Sequence, residues 1–223
     1  MLNMPKFLIV AATKHEIQPL ITHFKVNVFS EAGLFMNEGE TDLSVLITGV
    51  GMVNTAYFLG RYSHNLFDYV INVGVCGAFN KDLQIGEVVN VVEDTLSEMG
   101  AEDDTSFIKY ADLGLGGKNI FQNNLLITEP ILNGLKKVKG ITVNKVHGNE
   151  ESIKTIITLF NPDVESMEGA AFFRGCSRLS ENYFQLRAVS NYVEKRDKSK
   201  WNMPLAINNL NALVVTLITN LNK

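Results

Sequence analysis

Long apolar runs without an alternating polar pattern constrain the fold of this chain most strongly. They cover residues 6–12, 43–48 and 68–75, and glycines accompany the ends of the second and third runs, at positions 49, 51, 74 and 77. Such runs are typical of strands that are buried on both faces of a mostly parallel sheet. Glycine at a strand end lets backbone and ligand approach closely. We therefore predict one ligand cleft at a shared edge of the sheet.

Strand and helix patterns alternate along the rest of the chain. Further strands are predicted at 86–92, 142–146 and 184–193, a weak hairpin at 27–38, and helices at 54–64, 128–138, 152–160 and 204–221. Residues 93–121 are polar and glycine-rich, and we interpret them as a long functional or oligomer-forming loop. The 223 residues, 46% of them apolar, are enough for one sizeable core. We predict a three-layered α/β fold in one domain, residues 1–223.

Charge and hydropathy restrict the class of partner. The net charge of −4 and the pI of about 5.6 provide no basic surface for nucleic acid or an anionic membrane. The apolar run near the N-terminus is soon broken by Lys14, which makes it too short for a signal peptide or a membrane span. We therefore expect a cytoplasmic protein that binds a small molecule or another protein.

The spacing of glycines, acidic residues and cysteines in the sequence also argues against a cofactor or a metal site. The Gly-x-Gly at 49–51 lacks the third glycine of a dinucleotide fingerprint, because Asn54 occupies that position and no acidic residue follows at the required distance. The four acidic residues between positions 98 and 104 have no metal-ligand spacing, so we interpret them as a solvated loop. Cys76 and Cys176 have apolar or small neighbours and are interpreted as reduced packing residues.

The stretch from Pro162 to Ala171 places a carboxylate where an extended segment turns into a helix. Glu168 lies at that turn, small residues follow it, and Met167 offers a backbone N–H beside it. A carboxylate and an N–H at the positive end of a helix suit a vicinal diol such as ribose. A second interpretation stays open here, namely that Glu168 is a first-turn residue that only complements the helix dipole.

Two more polar residues occupy positions of interest. Thr13 is a candidate cap for a helix that begins near Lys14, and this places Glu16 just beyond the carboxyl end of the first strand. Ligands bind at that edge in open α/β sheets. Arg187 lies inside an apolar strand, so we expect an anionic partner or ligand for its charge.

Several of these motifs, in this order, resemble the purine nucleoside phosphorylase and nucleosidase superfamily over essentially the full length. They are Glu16 after the first strand, Gly-Val-Cys-Gly-Ala at 74–78, Ser-Met-Glu-Gly-Ala-Ala at 166–171 and Arg-Ala-Val-Ser-Asn at 187–191. Within the superfamily the chain is most similar to the futalosine hydrolases. That similarity lies in Val-His-Gly-Asn-Glu-Glu-Ser at 146–152, Val-Glu-Ser-Met-Glu-Gly-Ala-Ala-Phe-Phe at 164–173 and Ser-Asn-Tyr-Val-Glu-Lys-Arg at 190–196.

The resemblance implies a central mixed, largely parallel β-sheet with helices on both faces. It implies an N-glycosyl hydrolase that releases hypoxanthine from futalosine in menaquinone biosynthesis, without a cofactor, and a homo-oligomer of at least two copies. Glu16 matches the residue that activates water, Glu168 the carboxylate that binds ribose hydroxyls beside the Met167 backbone, and Asn191 the purine contact. The other substrate-binding positions implied are Gly74, Val75, Arg187, Ser190 and, by its spacing from Asn191, Trp201.

The chain departs from its relatives at two sites. Asn191 replaces the aspartate of adenine-specific nucleosidases, and an amide, with a donor and an acceptor, matches a 6-oxopurine. Asn72 and Val75 replace the arginine and serine with which phosphorylases hold phosphate, so we expect hydrolysis. Arg196 is a candidate partner for the carboxylate on the futalosine tail, with a solvated basic loop as the alternative. A methylthioadenosine/adenosylhomocysteine-type nucleosidase, a purine nucleoside phosphorylase and a nucleotide-binding scaffold remain alternative functions.

Overall fold

A computed structural model describes residues 4–37, 39–64, 66–176 and 178–223. The strands are β1 Phe7–Ala11, β2 Gly33–Met36, β3 Leu43–Ile47, β4 Tyr69–Ala78, β5 Val88–Leu96, β6 Gly100–Asp103, β7 Ser106–Lys109, β8 Ile120–Gln122, β9 Lys137–Thr142, β10 Val164–Ser166 and β11 Tyr183–Tyr192. The α-helices are α1 Gln18–His23, α2 Met52–Arg61, α3 Pro130–Gly134, α4 Glu150–Phe160, α5 Gly169–Cys176 and α6 Met203–Leu221. Short 3₁₀ helices cover His15–Ile17, Tyr110–Leu113 and Lys198–Lys200.

One large mixed sheet organises the molecule, in the order β10-β9-β5-β11-β4-β1-β3-β2, with β8 paired to β5. β1 is parallel to β3 and β4, and β4 is parallel to β11, as the long apolar runs predict. β10 pairs with both β9 and β4, so the sheet curls and closes at one end. Because β1, β3, β4 and β11 run in the same direction, their carboxyl ends meet at one edge.

The layers follow from the two faces of β1. Phe7, Ile9 and Ala11 pack in a cluster with residues of α1 and α6, whereas Leu8 and Val10 pack with residues of α2 and α5 on the other face. Both faces of the strand are therefore buried, which explains why its sequence shows no alternation. The three-layer α/β fold is confirmed.

The last helix is part of the core. The stretch Lys198–Leu221, which contains α6, is long and apolar enough by length and composition to span a membrane. Leu210, Val214 and Leu217 on α6 are buried in the cluster on one face of the sheet. We therefore assign α6 to the protein interior as a core helix.

The segment 93–121 is not a long loop, so that prediction is wrong. β5 continues to Leu96, β6 and β7 form a hairpin, and β8 pairs with β5. The polar residues that suggested a loop include Asp94, which is fully buried in the sheet and accepts hydrogen bonds there. Buried polar groups with partners are compatible with a strand, but their partners cannot be seen from local sequence.

Two other boundaries are corrected. The helix predicted at 128–138 is reduced to α3, and β9 begins at Lys137 and includes Gly140, so the strand predicted at 142–146 lies earlier. Glycine suits this strand because a side chain at Gly140 would meet an Asp94 carboxylate oxygen at 2.8 Å. The hairpin predicted at 27–38 contains the single strand β2, which pairs with β3, and its last residue lies outside the described residues.

The remaining elements agree with the sequence pattern to within a few residues. The helices at 54–64, 152–160 and 204–221 correspond to α2, α4 and α6, and the strand at 184–193 corresponds to β11. Cys76 and Cys176 are buried and free, as packing residues would be.

Candidate active site

A cleft of about 280 Å³ lies where the carboxyl ends of β1, β4 and β11 face the N-terminus of α5. Seven of the residues predicted for the site line it: Glu16, Val75, Met167, Glu168, Ser190, Asn191 and Trp201. Two others, Gly74 and Arg187, lie behind its wall. The tertiary structure therefore brings together residues from five separate parts of the chain.

Glu16 is held by groups on three sides. Thr13 donates to its Oε2 through both the hydroxyl, at 2.8 Å, and the backbone N–H, at 3.0 Å. The Glu16 N–H in turn lies 3.4 Å from the Thr13 hydroxyl, an arrangement like a capping box at the start of the 3₁₀ turn. The Val75 N–H donates to Oε1 at 3.2 Å. The residue is 8% exposed, and these bonds fix its carboxylate in the lining of the cleft.

Asn211 holds the turn that carries Glu16 in position, a role that sequence reasoning missed. It is buried in α6, and its Nδ2 donates to the carbonyl oxygen of Glu16 at 2.8 Å while its Oδ1 accepts from the Leu20 N–H at 3.1 Å. These bonds attach the turn that carries Glu16 to the core helix. A single asparagine within an apolar helical stripe was the only sequence signal for this role.

Glu168 lies at the start of α5 and is 6% exposed. Its Oε1 accepts from the Gly51 N–H at 3.1 Å, and its Oε2 lies 3.5 Å from Arg187 Nη2. Burial raises the pKa of the Glu168 carboxyl, and the charge of nearby Glu16 adds to that rise, while Arg187 opposes it. The pairing supplies the anionic partner expected for Arg187.

Arg187 also reaches β4, where the sequence suggested that no cation was present. Its Nη2 donates to Asn72 Oδ1 at 2.6 Å. A side chain at Gly74 would collide with Arg187 Nη1 and would lie 2.9 Å from Glu16 Oε1. Glycine at position 74 thus makes room for the guanidinium and the carboxylate together. The cation is buried and paired, so it supports the wall of the cleft and does not line it.

Asn191 enters the cleft because β11 is irregular at its end. The pairing of β11 with β4 shifts between Val189 and Asn191, which leaves Ser190 as an extra residue in the strand. Such bulges re-aim side chains near binding sites. The Ser190 hydroxyl lies 2.8 Å from Asn191 Oδ1, and Asn191 Nδ2 donates to the Tyr192 carbonyl at 3.0 Å. One lone pair and one N–H of the amide remain for a ligand.

Aromatic and sulfur-containing side chains complete the walls. Met167 and Trp201 line the cleft and are half-buried. The Arg196 guanidinium lies 4.9 Å from the centre of the Trp201 ring. Apolar walls with a few converging polar groups are typical of small-molecule sites.

A buried polar network lies beneath the site, and sequence reasoning missed it. Asp94 accepts from the Thr142 hydroxyl at 2.7 Å and from Gln185 Nε2 at 3.0 Å. Gln185 Oε1 lies 3.5 Å from Arg187 Nη2, which links this network to Glu168. Its only sequence signals were single polar residues within strand-like segments.

Chemically, the groups that line the cleft include the carboxylates of Glu16 and Glu168 and the amide of Asn191. Glu16 is suited to accept a proton, Glu168 to accept hydrogen bonds from hydroxyl groups, and Asn191 to contact a base with donor and acceptor groups. Within the described part of the chain, no group of three or more His, Cys, Asp or Glu residues is placed to hold a metal ion.

The Asp94 carboxyl leads to a prediction about stability and pH. Burial raises its pKa from 3.8 to about 6, although Gln185 and Thr142 oppose the shift. The folded state therefore binds the proton more tightly than the unfolded state, and stability is lost as the pH rises through this interval. Asp94→Asn removes that loss. Between pH 4 and pH 7, the free energy of unfolding of the variant should therefore rise by on the order of 3 kcal/mol relative to that of the parent protein.

Denaturant unfolding of both proteins at several pH values measures this difference. Other titrating groups are common to both proteins and largely cancel. A stability difference that stays constant across the interval would contradict the assignment.

Comparison with known proteins supports the fold. The model of the phosphorylase superfamily matches residues 6–121. A futalosine hydrolase of Thermus thermophilus is 31% identical over 186 residues, which are 80% of this chain and 82% of that protein. The structure of a futalosine hydrolase of Helicobacter pylori has a TM-score of 0.78 at 15% identity and covers 97% of this chain and 98% of its own.

The same fold occurs in a second class of nucleosidase. The 5'-methylthioadenosine/S-adenosylhomocysteine nucleosidase of Colwellia psychrerythraea, solved in complex with adenine, has a TM-score of 0.77 at 20% identity and covers 98% of this chain and 96% of its own. Structural similarity at this identity establishes the fold, whereas the 31% identity over most of both chains establishes the family. The chain belongs to the phosphorylase superfamily and, within it, to the family of the futalosine hydrolases.

Proposed function

We propose that this protein hydrolyses the N-glycosidic bond of futalosine and releases hypoxanthine and dehypoxanthinyl futalosine. The observation that carries the proposal is the placement of two buried carboxylates, Glu16 and Glu168, around one cleft that also contains the Asn191 amide. Family membership supports the same activity. The reaction places the enzyme in menaquinone biosynthesis, as the resemblance implies.

Each of the three groups has one role in the proposed mechanism. Glu16 takes a proton from water, whose oxygen bonds to the anomeric carbon while the bond to the purine nitrogen breaks. Glu168 accepts hydrogen bonds from ribose hydroxyls, beside the Met167 backbone, and its charge stabilises the cationic sugar. Asn191 hydrogen-bonds the purine while the purine nitrogen takes the electron pair of the broken bond, and the departing hypoxanthine gains its proton from solvent. Water enters on the face opposite the base, so the anomeric configuration inverts.

The environment of Arg187 supports hydrolysis over phosphorolysis. The guanidinium contacts β4 through Asn72, and it is 1% exposed and already paired with Glu168 and Asn72. A phosphate dianion in the cleft would have to be desolvated without a free cation from this residue, which is costly. A water molecule is uncharged, so its binding in the cleft requires no free cation.

The proposed activity is tested by incubating the protein with futalosine with and without phosphate and separating the products by chromatography. We expect equal rates of hypoxanthine release under both conditions, with a free reducing sugar as the second product. A ribose 1-phosphate product when phosphate is supplied would identify a phosphorylase. Faster cleavage of methylthioadenosine would identify the alternative nucleosidase.

The two carboxylates should respond differently to substitution. Glu16→Gln should lower kcat by roughly 10²–10⁴ while substrate still binds, because a general base acts only in the chemical step. Glu168→Gln should raise KM and lower kcat together, because its hydrogen bonds to ribose exist in both the bound and the transition state. Steady-state kinetics measures both.

The exposed Glu151 on α4 provides the control, since Glu151→Gln removes a carboxylate that is not part of the cleft lining. Its kinetics should be those of the parent protein. Near-normal kcat in Glu16→Gln would reassign the base to Glu168.

We also propose that the protein is a homo-oligomer. Apolar side chains on α2 face solvent in a single chain, with Val53 74% and Tyr57 58% exposed. Beside them, a groove of about 580 Å³ between α2 and α5 is lined in part by Ala56, Ala171 and Gly175. Exposed apolar surface of this kind favours association.

Sedimentation analysis should therefore find dimers or larger species. Val53→Glu together with Tyr57→Glu should shift them towards monomers. A parent protein that is monomeric at micromolar concentration would contradict the proposal.

The proposed setting is the cytoplasm, with a free nucleoside as partner and neither nucleic acid nor a membrane involved. The acidic balance of the chain, with a net charge of −4, supports this setting because it disfavours polyanionic partners. Cell fractionation with an antibody against the protein would test it.

A further inference from the structure

We propose that Glu165 is a specificity-determining residue that accepts a hydrogen bond from N1–H of a 6-oxopurine. The proposal rests on the proposed function, because it assigns one more contact to the base in the same cleft. Asn191 was the only base contact that the sequence suggested. Glu165 was not singled out, because in the sequence it is one acidic residue in a short strand.

Glu165 is a buried carboxylate that lines the cleft and, within the described part of the chain, is hydrogen-bonded through its side chain to a single residue, His147. It is 4% exposed, and it lines both the main cleft and a small adjoining cavity of about 70 Å³. Its Oε2 lies 2.7 Å from His147 Nδ1, and its Oε1 accepts from the His147 N–H at 3.1 Å. Its ion-pair partner is the His147 imidazole, and among the described residues no lysine or arginine pairs with it.

A carboxylate in this position has acceptor capacity left. Each oxygen has two lone-pair sites, and Oε1 receives one close bond from the protein. A buried acceptor oxygen that lines a cleft and keeps a vacant lone pair is best satisfied by a donor from a ligand. A ligand N–H is therefore the chemical group that the position favours.

Glu165 and Asn191 flank the same glycine. A side-chain carbon built on Gly77 would lie 3.4 Å from Asn191 Nδ2 and 3.6 Å from Glu165 Cγ. β10 and β4 pair antiparallel at this point, with Glu165 directly opposite Gly77. Val193 Cγ2 lies closer still, at 2.9 Å, so the space at Gly77 itself is filled. The main cleft and the small adjoining cavity are both lined by Gly77, Glu165, Asn191 and Trp201. A flat ring in the cleft beside these residues would meet the amide and the carboxylate at its edge.

The polar edge of a 6-oxopurine matches the two groups. It presents N1–H as a donor beside O6 as an acceptor, with N7 as a second acceptor further along. The Asn191 amide has an N–H and a lone pair free for O6 or N7, and Glu165 provides an acceptor for N1–H. In a 6-aminopurine, N1 has no hydrogen and is itself an acceptor. It would face a buried carboxylate, which disfavours binding.

A purely structural role is the competing interpretation, since Glu165 also fastens the loop before α4 through His147. Glu98 provides a matched control for that role. Its Oε2 accepts from the Asn144 N–H at 3.0 Å and from Asn144 Nδ2 at 2.8 Å, so it fastens the same loop from outside the cleft. Glu98→Gln weakens the fastening without touching the proposed base contact.

The test compares the parent protein with Glu165→Gln and Glu98→Gln. The kcat/KM of each is measured on futalosine and on its 6-amino analogue, and the affinity of each for free hypoxanthine and free adenine is measured by calorimetry. We expect Glu165→Gln to lower the preference for the 6-oxo substrate by roughly 10- to 100-fold, the effect of losing one hydrogen bond to a charged group. The glutamine amide can also donate to N1 of the amino form. Glu98→Gln should keep the parent preference.

The outcomes separate this inference from the proposed function. If the parent cleaves futalosine but Glu165→Gln keeps both its substrate preference and its preference for hypoxanthine, the inference is overturned and the proposed function stands. If the parent does not cleave futalosine, the proposed function fails, and the binding of the free bases still decides the role of Glu165. An equal loss of preference in both variants would show that loop position, and not the carboxylate, sets the choice of base.

Discussion

The ion pair between Glu168 and Arg187 beneath the cleft is the interaction on which the rest of the site depends. Both side chains are almost fully buried, so neither charge is compatible with the interior without the other. Their presence explains neighbouring residues that otherwise have no clear purpose. Gly74 leaves space for the guanidinium, and Asn72 accepts a hydrogen bond from it. A buried ion pair contributes little net stability, so its value lies in fixing a carboxylate in a water-poor cleft.

The sheet topology brings the remaining groups to that pair. Parallel strands bring their carboxyl ends to one edge, and the turn with Glu16 follows one of them. The bulge at the end of β11 places Asn191 in the cleft. The closure of β10 onto β4 adds Glu165 from the opposite side. The polar side chains of the cleft thus lie at or beside strand ends that belong to the fold itself, as in many α/β proteins.

The superfamily supports both hydrolysis and phosphorolysis on similar scaffolds, so the fold alone does not determine the reaction. In this chain the difference lies in a few side chains. The cation near β4 is paired with internal partners, and an amide lines the cleft at position 191. These are differences in hydrogen-bond donors, acceptors and charge, and the backbone that carries them is shared with nucleosidases of other specificity.

The sequence by itself determined the α/β class and the buried parallel strands, because apolar runs and glycines are local signals. Through their resemblance to a family, its motifs singled out Glu16, Glu168 and Asn191 as candidates, and these line one cleft in the structure. It failed at residues 93–121 and 128–138, where buried Asp94 and the strand glycine Gly140 look like loop and helix-end residues when their partners are unknown. Only the tertiary structure revealed Asn211 behind Glu16, the partner of Arg187 and the place of Glu165 at the cleft. Each of these depends on contacts between residues far apart in the chain, and such contacts leave no period or spacing in the sequence.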